Sequence, residues 1–150
     1  MQLEISTSEA MEELGSRLAA HLELGDLVLL SGELGAGKTT LTRGLGSALG
    51  AIGTIQSPTF VLAREHRIAS GGKLVHVDAY RLRSAVELDD LDIDFAGSIV
   101  VVEWARDYLS GYADSFLSVA IERNSDDEVR VVEINGHGSH WEGVELASLN

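Results

Sequence analysis

The run Gly32-Glu33-Leu34-Gly35-Ala36-Gly37-Lys38-Thr39 sets glycines, a lysine and a hydroxyl residue at the spacing G-x-x-x-x-G-K-[ST]. Glycines let consecutive backbone N–H groups curl around phosphate oxygens, along a path closed to residues with a β-carbon. In this pattern the lysine reaches the outer phosphates and the next hydroxyl takes one magnesium position. The residues therefore predict a site for a nucleoside triphosphate with magnesium, with Lys38 and Thr39 in those roles. A chance glycine turn could carry the same letters. Here, however, the run follows the apolar stretch Leu27-Val28-Leu29-Leu30 and opens a helical pattern from about Lys38 to Leu49.

A magnesium site also calls for a carboxylate, usually at the end of a neighbouring strand. Glu103 has that place, directly after Ile99-Val100-Val101-Val102; the plainer reading is that it starts a solvated loop. His76, Asp78 and Tyr80 fall on one face of an alternating stretch and Arg81 follows. They could position water or sense the terminal phosphate, and spacing leaves a polar, solvent-facing strand edge equally open. Asp90, Asp92 and Asp94 resemble the opening of a calcium loop, but Phe95 stands where glycine is needed and Val101 where the bidentate glutamate should be. A solvated acidic face is the better reading. His137 and His140 in a glycine-rich tail read as polar surface rather than as metal ligands, and His21 and His66 have no evident partner.

These residues need elements to hold them. Ser6 and Glu9 have capping-box spacing, so a helix should begin there and carry the apolar stripe Met11, Leu14, Leu18, Ala19 and Leu22 up to Gly25. Asp26 to Ser31 and Ile99 to Glu103 are continuous apolar runs of the kind seen in strands buried on both faces. An extended stretch from Ser57 to about Arg67, a turn at Ser70 to Lys73 and an alternating strand from Leu74 to Tyr80 suggest a hairpin. A short acidic helix is expected at Glu87 to Leu91. Further strands are expected at Leu117–Arg123 and Val129–Ile134, with a loosely ordered tail from Gly136.

At 150 residues the chain fits one domain with a sizeable core. With no cysteine, disulfides and thiolate chemistry are excluded. No apolar run approaches the roughly 20 residues of a membrane span. The acidic start Met1-Gln2-Leu3-Glu4 lacks the layout of a signal peptide, so a cytoplasmic address is expected and no membrane is involved. Eleven basic residues against 24 acidic ones give a net charge of −13, the reverse of what phosphate-contacting nucleic-acid binders show. Any role with RNA should run through a protein partner.

Taken together, the sequence resembles the TsaE family, formerly YjeE, small bacterial ATPases needed to make threonylcarbamoyladenosine in tRNA. The resemblance rests on Gly32 to Gly44, Ser57-Pro58-Thr59-Phe60, His76-x-Asp78-x-Tyr80-Arg81 and Val102-Glu103-Trp104, in order along nearly the whole chain. It implies an α/β fold: a P-loop NTPase of three α/β/α layers, whose central, mainly parallel sheet also carries antiparallel strands. It implies ATP and Mg2+ as cofactors, with Glu33, Leu34, Gly35, Ala36, Gly37, Lys38, Thr39 and Thr40 around the phosphates and with Thr39 and Glu103 on the metal. Ser57 to Thr59 resembles the family's first switch and His76 to Arg81 its second, with Asp78 and Glu103 serving hydrolysis. Adenine contacts are implied for Ser8 and, in the turn Asp126–Asp127, for Asp127. Where relatives carry a threonine in the first helix turn, this chain has Met11. The implied partners are TsaD-type and TsaB-type proteins, with tRNA touched only indirectly.

The rival readings are a small-molecule P-loop kinase and a nucleotide-dependent binding module. A kinase usually brings clustered arginines to a closing lid, and here only Arg81 and Arg83 stand close together. The motifs do not separate adenine from guanine, although no guanine-reading N-K-x-D is present.

Overall fold

The computed structural model describes residues 1–55, 63–105, 112–124 and 128–149. The Ser57–Phe60 segment and Asp127 lie outside them. Seven strands form one sheet in the order β1-β7-β6-β2-β5-β4-β3. Its centre is β2 (Leu27–Gly32), flanked in parallel by β5 (Ser98–Glu103) and β6 (Phe116–Arg123), with β4 (Lys73–Asp78) parallel to β5. The edges are antiparallel: β3 (Ala63–Arg67) on β4, then β7 (Arg130–His137) on β6 and β1 (Gln2–Ile5) on β7. The sheet is thus parallel at its centre and antiparallel towards its borders.

Helices α1 (Ser8–Ala19) and α2 (Lys38–Ala48) cover one face, burying Met11, Leu14 and Leu18 together with Leu41 and Leu45 against Val28, Leu30 and Val101. The short α3 (Ala85–Asp89) and its flanking segments cover the other, with Leu88 against Val75, Val77, Val100 and Val102. The helix-facing side of β4 and β5 carries Leu74, His76 and Asp78, and Ile99, Val101 and Glu103. This alternation decides where the chemistry goes. The polar residues of β4 point under α2, and His76 is fully buried, so the solvent-facing edge is excluded. Tyr80 lies beyond the strand end and is exposed.

Several boundaries differ from expectation. The cap of α1 is Thr7, whose side chain accepts from the Ala10 amide, rather than Ser6. The helix ends at Ala19, and Gly25, at φ 100°, turns the chain into β2. The N-terminus forms β1, which sparse apolar residues did not suggest. The tail is packed rather than loose: β7 runs on to His137, Trp141 rests on Gly136, and Leu149 reaches the core beside α1. His137 stacks on Phe116 while His140 pairs with Asp26 at 2.9 Å, so the two histidines serve separate contacts. His21 meets Ser148, and His66 meets the carbonyl of Ile52. No described helix is long and apolar enough to cross a membrane.

The α1–α2 contact is a glycine contact. A Cβ on Gly44 would stand 1.9 Å from the Glu12 carbonyl oxygen, and one on Gly15 would stand 2.1 Å from that of Leu41. Because both obstacles are backbone, neither can turn aside. Gly44→Ala is therefore expected to cost about 3 kcal/mol, at the upper end of overpacking penalties. Urea unfolding measures this, and an unchanged midpoint would show that the helices can part without cost.

Candidate functional site

The site forms where β2, β5 and β4 end together, the side of a parallel sheet at which ligands gather. Register places Leu30 beside Glu103 and Glu103 beside Asp78, so the last residues of β5 and β4 stand level with Leu30, two residues before β2 ends in the glycine loop. Between β2 and α2 the chain turns through the glycine loop. Gly32, Gly35 and Gly37 adopt φ of 155°, 78° and 114°, a region that side chains rarely enter. At Gly32 a Cβ would also sit 2.7 Å from the Ile121 carbonyl oxygen. Gly37 caps α2, leaving the unpaired N–H groups of the first helical turn at the loop.

Lys38 is buried and folds back along the loop. Its Nζ donates to the carbonyls of Gly32 (2.7 Å) and Glu33 (2.8 Å) and lies 3.8 Å from the centre of the Trp104 ring. Burial pushes its ammonium below the usual lysine range, against the opposing pull of Glu103 and Asp78. Trp104 itself holds φ of 60°, a left-handed conformation that costs on the order of 1–3 kcal/mol in a residue other than glycine. It meets Tyr80 edge-on at 5.2 Å.

Beneath the loop, the Thr39 hydroxyl donates to Oε1 of Glu103 at 3.1 Å. The other carboxylate oxygen, Oε2, lies 3.0 Å from Nε2 of His76, but the two are not aligned as a hydrogen bond. Glu103 Oε2 and both ring nitrogens of His76 are consequently buried without a hydrogen-bond partner. Asp78 spends Oδ1 on the Tyr80 amide at 2.9 Å, and the Ala79 amide donates to the Glu103 carbonyl at 2.9 Å. The first bond turns the chain at the end of β4, and the second ties that end to β5. A buried carboxylate oxygen with no donor is rare and costly. The fold keeps one here, on the carboxylate whose other oxygen accepts from Thr39.

The cleft has two contiguous parts that share Gly35, Gly37 and Thr40. One is lined by Leu34, Lys38, Thr39, Glu103 and Trp104, the other by Thr7, Ser8, Met11, Ala36 and Arg130. Thus Ser8, at the start of α1, stands on the wall of the second part. Glu33 and Leu34 form the exposed loop tip, and Ala36 is buried behind it. Met11 closes on Gly37, where a Cβ would be 3.3 Å from its Cε. Arg130 is the residue that sequence reasoning missed. It begins β7 and reaches the loop, yet nothing in Val129-Arg130-Val131 distinguishes it from any polar strand residue. Among the described residues, no group of three or more His, Cys, Asp or Glu side chains is placed to hold a metal. Asp90, Asp92 and Asp94 are all exposed, in keeping with a solvated face.

The family model for "Threonylcarbamoyl adenosine biosynthesis protein TsaE" matches residues 5–132. A Streptomyces coelicolor protein named tRNA threonylcarbamoyladenosine biosynthesis protein TsaE is 49% identical, covering 93% of this chain and 99% of its own length. Its Bacillus subtilis namesake is 34% identical, covering 89% and 84%. A crystal structure of B. subtilis YdiB superposes with a TM-score of 0.77 at 26% identity, covering 99% of this chain and 93% of the other. With the family model and these relatives matching over most of its length, the chain belongs to the TsaE family.

Proposed function

We propose that this chain is a magnesium-dependent ATPase whose slow turnover serves threonylcarbamoyladenosine modification of tRNA in the cytoplasm, through a complex with TsaD-type and TsaB-type proteins. The observation that carries the nucleotide reading is the pairing of half-buried Thr39 with buried Glu103 below the glycine loop, with an oxygen of Glu103 left without a donor. Hydroxyl and carboxylate oxygens are the ligands that a hard divalent cation takes. The residues therefore fit magnesium, held by Thr39 and Glu103. Bound with the triphosphate, the ion would offset charge developing on the phosphoryl oxygens.

The chain's own groups supply the rest. The loop amides and the first turn of α2 bind phosphate oxygens. Lys38 exchanges the carbonyls of Gly32 and Glu33 for the outer phosphates, and must leave the Trp104 face to do so. To Asp78, level with Glu103 on the adjacent strand, we assign the orienting of water, a role its register beside Glu103 supports. Of the described residues lining the cleft, Lys38 and Arg130 are the cations, and Arg130 donates to backbone carbonyls. This supports weak turnover by the isolated chain, since an added arginine is worth roughly 10³–10⁵ in related phosphoryl transfers. The family supports the modification pathway, and a net charge of −13 supports action through proteins rather than directly on tRNA.

Turnover of the purified chain, alone and with TsaD-type and TsaB-type proteins, tests this reading. The isolated chain should run well below the roughly 1–100 per second of kinases, and the partners should raise it about tenfold or more. Kinase-like turnover by the chain alone, or no response to the partners, contradicts the proposal.

A further inference from the structure

A loop that presents amides to phosphate must turn carbonyls elsewhere, and those carbonyls need donors. Lys38 serves Gly32 and Glu33. Two more are served from across the chain. Nε of Arg130 donates to the Ala36 carbonyl at 3.2 Å, and Nη2 to that of Gly35 at 3.4 Å, the latter spanning 95 residues of sequence. Nη1 donates to the carbonyl of Glu128 at 2.9 Å, so each guanidinium nitrogen holds a carbonyl. Among the described residues, the carboxylate paired with it is the Glu128 side chain, 3.9 Å away and exposed, which screens the charge little.

The peptide group is planar and trans, so the Ala36 carbonyl and the Gly37 N–H point in opposite directions. Holding one fixes the other. Arg130 lines only the α1 side of the cleft, whereas Lys38, Thr39 and Glu103 line only the other, and Gly37 borders both. An N–H turned away from Arg130 therefore faces the side of Thr39 and Glu103. Gly37, at φ 114° with no side chain, has little of its own to keep that peptide from turning over. The Ala36 amide is already engaged by the Glu33 carbonyl at 3.0 Å, which leaves Gly37 as the donor that Arg130 governs.

We propose that Arg130 is a positioning residue of the nucleotide site: its fork grips the Gly35 and Ala36 carbonyls and so aims the Gly37 N–H at the phosphates. This rests on the ATP-binding reading above. Two parallel donors need a planar fork, which lysine does not have. The β6–β7 hairpin thereby becomes part of the loop's mounting, and a change at the start of β7 reaches the phosphates without touching them.

The test compares the full chain with Arg130→Met and Arg130→Lys. Affinity for Mg-ATP is measured by calorimetry, thermal unfolding is followed without ligand, and the Gly37 amide resonance is recorded in ¹⁵N-labelled protein at saturating Mg-ATP. Both variants should bind about tenfold or more weakly, as expected for losing charge-assisted bonds. Their Gly37 proton should move downfield on binding by much less than in the unaltered chain. An unchanged Gly37 shift at saturation overturns the proposal, as does full affinity in Arg130→Lys, which would make charge alone sufficient. A lower melting temperature with an unchanged Gly37 shift would reduce Arg130 to a structural brace and also overturn it. If the unaltered chain takes no Mg-ATP, the ATP reading fails first. If it binds and the variants bind equally well, only the role of Arg130 fails.

Discussion

Lys38→Met is expected to weaken Mg-ATP binding by about a hundredfold or more, while the chain stays folded. The variant loses charge-assisted hydrogen bonds to phosphate, worth roughly 1.5–3 kcal/mol each, where about 1.4 kcal/mol is tenfold in affinity. In the free chain the ammonium is buried, donates to two carbonyls and lies under Trp104. Methionine keeps the length and the apolar contact with the ring but leaves the Gly32 and Glu33 carbonyls without that donor. Folding stability should therefore change by far less than nucleotide affinity, because burial already disfavours the charged form. Calorimetric titration together with thermal unfolding separates the two effects. Equal affinity in the variant would remove Lys38 from the phosphate site.

Glu103→Gln should spare much of the nucleotide affinity and lower magnesium-dependent hydrolysis by at least about a hundredfold, the scale of losing electrostatic stabilisation at the reacting phosphoryl group. Glutamine keeps the shape and can still accept from Thr39. What it lacks is the charge on the oxygen that has no donor. It also offers His76, 3.0 Å from that oxygen, an amide in place of a carboxylate. Single-turnover measurement at saturating ATP separates hydrolysis from binding. Hydrolysis retained in the variant would move the acidic role to Asp78, its neighbour in register.

The sequence made the loop legible because Gly32 to Thr39 is contiguous and each position carries its own chemical reason. Glu103 was legible because a carboxylate ending Val100-Val101-Val102 has few places to go except the end of a buried strand. Asp78 and His76 were readable as a pair on one face. Which face that was depended on where α2 lies, and alternation in a single strand does not say. The cap of α1 fell on Thr7 because Ser6, Thr7 and Ser8 can all cap, and only the entry angle of the chain chooses. β1 was hidden since its four residues gain strand structure by pairing with β7, from the far end of the sequence. The tail misled through composition: glycine and serine around Trp141 and Leu149 suggested looseness, yet two buried apolar side chains anchor it. Arg130 left no trace because its purpose lies in carbonyls that are not encoded by any side chain.

The central claim is that the cleft between the glycine loop, Glu103 and Trp104 takes ATP together with magnesium. Equilibrium titration of the purified chain with ATP, with magnesium and then with magnesium chelated, tests it most directly. The geometry of Thr39 and Glu103 predicts saturable one-to-one binding that strengthens clearly when magnesium is present. No saturable binding, or an affinity indifferent to the ion, would contradict it.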